Sequence, residues 1–335
     1  MMVTRKRQQG VALLVVLLIV ALIAVIATDI TSRNQISVRR TINLTEYDQA
    51  YWYALSLEQL ANKVLKKDLD DSKGEVNLSQ VWAQTGVVFP VENGALAGEI
   101  KDMRACFNLN ALSVKATQPQ NNNGSPNQEP LAVQQFASLL EALSVEPFTA
   151  EQLAKSLRNY IDTSPAVGGY YGPDAEYEAR DVPYRAAKTM MSHRSELRAV
   201  LGFTQKVYDK LAPYVCAIPG DDKQLININT IQPEQAPLLA GMLLNQISAD
   251  EAKGIIESRG AKGYDDLQEF WSSPELGSIG GNVDKVKSTF TNKSTYFELD
   301  GKAKVGDAIF QLQSILQVNK DHYVDVLSRQ YGGQK

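Results

Sequence analysis

The sequence has few of the side chains on which enzymes depend. Its 335 residues include only two histidines, His193 and His322, and two cysteines. Neither histidine has the spacing of a zinc ligand or of a base beside a nucleophile. The sequence also lacks a phosphate-binding loop and the glycine pattern of a dinucleotide-binding turn. We therefore predict a protein that is not an enzyme.

The chain lacks an excess of positive charge as well. Its net charge is −4 at pH 7, and Arg5, Lys6 and Arg7 supply three positive charges, so the chain from Val11 onward carries −7. A nucleic-acid groove needs a concentrated positive field. We therefore predict no nucleic-acid partner, whereas an acidic body is compatible with divalent cations or with basic proteins.

The two cysteines, Cys106 and Cys216, are 110 positions apart, which excludes a CxxC redox or zinc motif. If both lie outside the cytoplasm, we expect them to form a disulfide. In the chain-entropy description, closing a loop of that length stabilises the fold by about 4–5 kcal/mol.

Glycine and proline are absent between Val11 and Lys73. The first part of this stretch, residues 11–27, has no polar side chain. As a helix it spans about 26 Å, close to the ~30 Å hydrocarbon core of a bilayer. We predict that residues 11–28 cross the membrane once. The basic residues before them predict a cytoplasmic N-terminus, with the remainder of the chain on the other side.

Two simpler interpretations of this segment stay open. It is either a secretory signal peptide cut after Ala27, following the small-residue pattern of residues 25–27, or a generic membrane anchor. Against both, the chain continues without a helix breaker, so one helix of up to about 95 Å is predicted. Beyond the membrane its apolar residues recur with helical spacing, at Leu57, Leu60, Ala61, Val64 and Leu65.

Segments with strand patterns flank a block of helices. Strands are predicted at residues 87–89, 94–100, 295–299, 308–318 and 323–327. Helices are predicted at residues 131–143, 150–161, 195–201, 204–211, 233–244 and 248–259. Thr204 is a predicted helix cap, and Ser248 with Glu251 forms a predicted capping box. The motifs NLNAL (108–112) and NINTI (227–231) are similar, which indicates two related helical units.

The region around Gly10 resembles a prepilin peptidase site, in which a small residue with basic residues upstream stands directly before the apolar segment. The resemblance implies that residues 1–10 are a leader, cleaved after Gly10, and that Val11 becomes the N-methylated first residue. Most pilins have Glu at the fifth mature position, which is Val15 here. The K class of type II secretion minor pseudopilins characteristically lacks this Glu.

The chain resembles that K class along almost its entire length. The landmarks are NLN at 108–110, YID at 160–162, SELR at 195–198 and ININT at 226–230. The resemblance implies an α+β fold, in which a pilin-like long N-terminal helix packs on a small antiparallel sheet formed by residues 29–105 and 291–335. It also implies an all-α insertion at residues 106–290, made of two SAM-like or helix-hairpin-helix-like units at about 106–220 and 221–290.

The same resemblance implies a function. The K class caps the tip of the type II secretion pseudopilus and helps to initiate its assembly, for export of folded proteins across the outer membrane. The implied partners are pseudopilins I and J, then H, with prepilin peptidase and the inner-membrane assembly platform. The implied location is the bacterial inner membrane, with the bulk of the chain in the periplasm.

Residues 162–178 combine carboxylates with glycines, as a hard-cation site requires. In the K class this segment is associated with calcium, and Asp162 and Asp174 match two of its carboxylates. Ser164 and Ala175 stand where two others are usual, and Glu176 is a substitute by proximity. We therefore predict a calcium site formed by Asp162, Asp174 and Glu176, and the alternative is a solvated acidic turn.

An alternative function is suggested by residues 227–260, which resemble a helix-hairpin-helix motif of DNA-uptake and repair proteins. Such motifs hold phosphate with the backbone N–H groups of a glycine-containing hairpin. The matching turn here, residues 244–248, has no glycine. The alternative to the tip subunit is thus a pilus-associated DNA-binding or uptake protein, and the missing glycine counts against it.

Overall fold

The computed structural model describes residues 9–113, 129–162, 174–260, 262–277, 279–280 and 283–332. Its first element is helix α1, Gln9–Asp71, whose 63 residues span about 95 Å. The helix continues past the apolar run because no glycine or proline interrupts it. It ends where Lys73 and Gly74 adopt positive φ angles of 55° and 85° and the Gly74 N–H donates to the Leu69 carbonyl.

The remaining helices and strands follow α1 along the chain. In order they are β1 (Val88–Val91), β2 (Gly94–Asp102), β3 (Phe107–Asn108), α2 (Leu131–Ala142), α3 (Pro147–Ile161), α4 (Ala175–Glu178), α5 (Gln205–Leu211), β4 (Val215–Cys216), β5 (Ile226–Asn227), α6 (Ala236–Met242), α7 (Ala249–Ser258), α8 (Leu267–Trp271), α9 (Val283–Lys287), β6 (Phe290–Thr291), β7 (Tyr296–Val305), β8 (Ala308–Val318) and β9 (Val324–Tyr331). Short 3-10 helices occupy Val81–Ala83, Leu109–Ser113, Arg194–Ala199, Ala212–Tyr214, Pro233–Gln235 and Pro274–Leu276.

One antiparallel sheet has the strand order β1-β2-β7-β8-β9. Helix α1 covers one face of this sheet. Along β7 every second residue is buried beneath the helix, as the two-residue period of a strand requires. A long N-terminal helix on a small antiparallel sheet confirms the predicted α+β class.

The contact between α1 and the sheet is close because two strand residues have no side chain. A Cβ atom at Gly98 of β2 would lie 2.9 Å from the Leu57 side chain, and one at Gly301 of β7 would lie 3.1 Å from it. The two glycines therefore form a shallow depression in the sheet that accepts Leu57.

A large insertion separates β2 from β7. The chain leaves the sheet after Asp102 and returns at Tyr296, and these strand ends are neighbours because Asp102 pairs with Phe297. The insertion has its own hydrophobic core, which includes Phe107, Phe136, Leu139, Leu157, Ile228 and Phe270. Helices α2, α3, α6 and α7 pack around that core.

The insertion contains two parallel strand pairs that the sequence did not predict, β3 with β4 and β5 with β6. Each strand is two residues long, which is too short to show an alternating pattern. After the first strand of each pair, one asparagine side chain binds both the backbone N–H and the backbone C=O of a distant residue. Asn110 exchanges hydrogen bonds with the Met191 N–H and C=O (2.7 and 2.9 Å), and Asn229 does the same with Tyr264 (2.8 and 3.0 Å). The similarity of NLNAL and NINTI is therefore a repeated structural role.

Two predicted helices differ from the structure. Residues 194–199 form a 3-10 helix, opened by a capping box between His193 and Glu196. The segment 233–244 divides into a 3-10 turn at Pro233–Gln235 and the shorter α6. Proline at the helix start and a left-handed Leu244 (φ 56°) limit the regular helix to this length. The predicted caps are present, with Thr204 before α5 and the Ser248–Glu251 capping box before α7.

Candidate assembly surface

Helix α1 has two parts with different environments. From Ala50 onward one stripe of the helix is buried against the sheet, at Ala50, Ala54, Leu57, Glu58, Ala61, Leu65 and Leu69. From Val11 to Gln49 the side chains are exposed or, at Glu46 and Gln49, half-buried. Of the predicted amphipathic stripe, Leu57, Ala61 and Leu65 are buried, Val64 is half-buried and Leu60 is 37% exposed. Residues 11–27 of this exposed part are entirely apolar. Such a surface, without packing partners in the chain, needs either lipid or other protein around it.

The first part of α1 includes an 18-residue segment with a mean hydropathy of 3.3, none of which is buried. Its leucines are among the most exposed apolar side chains, with Leu14 at 67% and Leu18 at 71%. The length and the apolar surface fit a single-pass membrane anchor. Gly10 lies in the first turn of this helix and its position is open, since a Cβ there would meet nothing within 4 Å. Cleavage between Gly10 and Val11 stays a prediction.

One buried carboxylate fastens the second part of α1 to the sheet. Glu58, 1% exposed, accepts two hydrogen bonds from the Arg329 guanidinium (2.8 and 2.9 Å) and one from the Ser314 hydroxyl (2.7 Å). Burial raises the pKa of Glu58, but the bonds to Arg329 and Ser314 outweigh it and hold the pKa below its ordinary value. The sequence held a signal for this role, because Glu58 interrupts the apolar stripe beside Leu57.

A second buried carboxylate joins the insertion to the sheet. Asp102, at the end of β2, accepts hydrogen bonds from the Thr230 hydroxyl (2.6 Å), the Asn227 side chain (2.9 Å) and the Arg104 N–H (2.8 Å). Burial raises the pKa of Asp102, and these hydrogen bonds oppose the shift. No sequence pattern marked Asp102 as the connection between the two parts of the molecule.

The disulfide reinforces the same junction. Cys106, soon after the end of β2, is bonded to Cys216 of β4, with their Cα atoms 5.8 Å apart. Around it Met103, Ile218 and Ile315 form a small apolar cluster in which the insertion contacts the sheet. The pairing is the one that the sequence predicts for cysteines outside the cytoplasm.

The hairpin between α6 and α7 is not arranged for phosphate. Leu244 and Asn245 adopt the left-handed conformation without glycine, with φ 56° and 54°. The N–H groups of Leu244, Asn245 and Gln246 all donate to backbone carbonyls of residues 240–243, at and just after the end of α6. The Ser248 N–H donates to the Glu251 carboxylate at 2.7 Å, so an acidic group already occupies the start of α7. This hairpin gives no support to the DNA-binding alternative.

The predicted calcium ligands lie on both sides of residues 163–173, which include Ser164 and the three glycines and are outside the described residues. Asp162 follows α3, and Asp174 precedes α4 and accepts a hydrogen bond from the Ala186 N–H at 3.2 Å. Glu176 is exposed on α4. The described ranges contain no group of three or more Asp, Glu, His or Cys side chains that could hold a metal ion. Calcium binding by Asp162, Asp174 and Glu176 stays a prediction.

Family models for protein K of the type II secretion system match residues 105–220 and 226–291, together more than half of the chain. A relative named type II secretion system protein K, from Aeromonas hydrophila, is 41% identical over 329 residues, covering 98% of each chain. Another of that name, from Pectobacterium carotovorum subsp. carotovorum, is 37% identical over 331 residues, covering 99% of this chain and 98% of the relative. The chain belongs to the protein K family of type II secretion systems.

The fold comparison agrees with this family. The chain resembles a chain in the crystal structure of the GspK-GspI-GspJ complex from enterotoxigenic Escherichia coli, with a TM-score of 0.77 and 34% identity. The match covers 88% of this chain and 100% of the other. The family assignment made from the sequence is thereby confirmed, and the protein is a minor pseudopilin of type II secretion. The likeness of the insertion to SAM-like units stays a prediction.

Proposed function

We propose that this protein caps the tip of the type II secretion pseudopilus and helps to initiate its assembly, for export of folded proteins across the outer membrane. The observation that supports this function is where the insertion leaves the body. Ala50 and Ala54 of α1 cluster with Val305 of β7, whereas Leu65 and Leu69 cluster with Phe297 at the other end of that strand. The insertion therefore begins at the end of the sheet farthest from the apolar segment.

This position has a steric consequence for a filament of parallel helices. A subunit added beyond this one would have to place its own helix and body over the far end of α1. The described residues between 103 and 295 lie there, joined to the sheet where the Asp102 carboxylate accepts hydrogen bonds from Asn227 and Thr230. We assign the body to residues 29–105 and 291–335, and the insertion to residues 106–290. The two thus have separate roles. The exposed part of α1 joins the filament, and the insertion ends it.

The membrane topology and the partners belong to the same function. Arg5, Lys6 and Arg7 would keep the N-terminus in the cytoplasm, and the disulfide suits an oxidising periplasm. The partners would be pseudopilins I and J, then H, with prepilin peptidase and the inner-membrane assembly platform. The related Escherichia coli protein in a GspK-GspI-GspJ complex supports the first two partners.

The mature N-terminus tests the pseudopilin class of this chain. Intact-mass spectrometry of the protein from cells with prepilin peptidase should show a chain that begins at a methylated Val11. Cells without the peptidase should retain Gly10 and the residues before it. Cleavage after Ala27, or the same mass in both strains, would contradict the function proposed here.

Calcium would have a structural role at residues 162–178. Carboxylate oxygens are the donors that calcium prefers, so Asp162, Asp174 and Glu176 would hold the ion. The thermal midpoint of the full-length protein should rise with calcium relative to chelator, and Asp174→Asn should reduce the rise. Asp250→Asn, an exposed acidic residue of α7, is the matched control. Equal midpoints with calcium and with chelator would exclude the site.

A further inference from the structure

The second half of β2 is an open edge of the sheet. Strand β1 pairs with β2 only from Gly94 to Ala97, although β2 continues beside β7 as far as Asp102. Beyond Ala97, β2 therefore has a strand neighbour on one side alone. Such an edge presents N–H and C=O groups with which another extended chain can pair.

The register identifies the backbone groups that this edge presents. The β1–β2 hairpin closes at Val91 and Gly94 around a two-residue turn, so Gly94 bonds toward β1, and every second residue after it points its backbone groups the same way. Ile100 and Asp102 follow this period, and their N–H groups point away from β7. Outside the strand ladders, no hydrogen bond between described residues uses the Ile100 N–H, the Ile100 C=O or the Asp102 N–H.

The open edge borders a cleft of about 480 Å³ at the junction of the body and the insertion. Its walls come from the segment between α1 and β1 and from the insertion, and they include Leu78, Trp82, Thr85, Pro213, Gln232 and Gln235. A single extended chain can lie between two such walls. The sheet edge of a second copy would bring its own helix and insertion against them. The cleft therefore favours one extended segment over a dimer of this chain.

The two faces of the sheet differ in character at this edge. Ile100 lies on the face that α1 covers and packs with Trp82 in an apolar cluster. Glu99 and, on β7, Glu298 lie on the opposite face and also line the cleft. Side chains of a strand alternate between the two faces. A strand added here would therefore meet apolar groups on one face and carboxylates on the other.

Glu298 is the carboxylate that most needs a cation. It is half-buried, and among the described residues it forms no ion pair, whereas Lys101 opposite it already pairs with Asp300 at 2.9 Å. Burial raises the pKa of Glu298, and the neighbouring Asp300 charge raises it further. Because burial of an unpaired charge is costly, a positive group placed beside Glu298 would be stabilised there.

We infer that the open edge of β2 binds an extended segment of another protein by β-strand addition, with a lysine or arginine of that segment beside Glu298. Main-chain hydrogen bonds to Ile100 and Asp102 would supply affinity, and the alternate side chains would supply selectivity. The segment would carry apolar residues on the Trp82 side and basic residues on the Glu298 side. The inference goes beyond the proposed function and does not depend on it, since it needs only the sheet edge and the cleft.

A fluorescent probe peptide of alternating valine and lysine tests the inference. Its binding to the full-length protein in detergent is followed by fluorescence anisotropy. The same peptide with N-methyl groups on the residues of its pairing edge keeps every side chain but cannot donate main-chain hydrogen bonds, so it should bind at least about tenfold more weakly. A peptide of alternating valine and glutamate should also bind at least about tenfold more weakly.

Variants of the protein locate the site. Glu298→Lys should weaken binding of the valine–lysine peptide at least about tenfold, and Glu298→Gln, which keeps the shape of the side chain, should weaken it about threefold or more. Asp250→Lys makes the same charge change on an exposed part of α7, outside the cleft, and should alter binding less than about twofold. Amide hydrogen exchange at Ile100 and Asp102 should slow when the peptide binds.

Three results would overturn the inference. They are no measurable binding of the valine–lysine peptide, equal affinity for its N-methylated form, and peptide binding that leaves amide exchange at Ile100 and Asp102 unchanged. Each of them would leave the proposed function intact, because that function requires no strand at this edge.

Discussion

The two parts of α1 have the same backbone and opposite surroundings. Along residues 50–71 one stripe of the helix packs on the sheet, and Leu65 is fully buried. Along residues 10–49 the helix contacts little else, and Leu44 is 58% exposed. In one part of the helix burial stabilises this chain. In the other, the apolar surface is available to the membrane and to neighbouring subunits.

The difference shows that helix formation and helix packing have separate origins in this protein. The absence of glycine and proline permits 63 helical residues, but only the stripe that meets the sheet contributes to the core. Substitutions in the two parts should therefore have very different effects on the stability of the isolated protein.

The largest contrast is expected from truncation of buried and exposed leucines. Leu65→Ala should lower the free energy of unfolding by about 2–5 kcal/mol, because it leaves a cavity between α1 and the sheet. Leu44→Ala should change it by less than about 0.5 kcal/mol. Denaturant unfolding of the detergent-solubilised protein, followed by near-ultraviolet circular dichroism, measures both. Equal losses would show that the lower part of α1 also packs within the chain.

Enlarging a small residue tests the same contrast from the opposite direction. Ala54 is fully buried on the sheet, so Ala54→Leu should cost about 1–3 kcal/mol through overpacking. Ala21→Leu, in the exposed apolar segment, should leave unfolding of the body unchanged. A stable Ala54→Leu variant would mean that the contact between helix and sheet is looser than the structure shows.

The third contrast concerns how the Glu58 interaction depends on pH. The pKa of Glu58 is lowered in the folded state. Its contribution to folding stability is therefore fully present above the unfolded pKa of about 4.3, and it is lost as the pH falls through the pKa of the folded state. Glu58→Gln should therefore lower stability at pH 7 by about 1–3 kcal/mol. The difference in stability between Glu58→Gln and the unmodified protein, here called the stability gap, should narrow below about pH 4.

Thermal melts of Glu58→Gln and the unmodified protein from pH 7 to pH 3 measure this stability gap. Asp48→Asn removes an exposed carboxylate from the lower part of the same helix, and it should shift stability by less than about 0.5 kcal/mol at any pH. A gap between Glu58→Gln and the unmodified protein that stays constant down to pH 3 would contradict the role of the Glu58 charge.

Features with a periodic signal could be predicted from the sequence. The long helix follows from an uninterrupted apolar run and an amphipathic stripe, and the closing strands follow from their apolar pattern. Ser248 and Glu251 predicted a capping box because that cap is a local motif. The Cys106–Cys216 pair followed from the number of cysteines and their compartment.

Features that depend on distant partners could not be predicted. Asp102 is an ordinary strand-end aspartate until the chain returns 125 residues later to place Asn227 beside it. The buried ion pair between Arg104 and Asp221 likewise joins residues that no local pattern connects. The position at which the stripe of α1 becomes buried, at Ala50, likewise depends on strands that come more than 200 residues later in the chain.

The position of this subunit at the tip of the pseudopilus can be tested directly with an epitope in the insertion. Val182 in the insertion is 77% exposed, so an epitope placed after it should leave the fold intact and be open to antibody. Pseudopili assembled with the tagged protein can then be labelled with gold-conjugated antibody and imaged by electron microscopy. We expect a single gold particle at one end of each filament. Gold distributed along the filaments would contradict a tip subunit whose insertion ends the assembly.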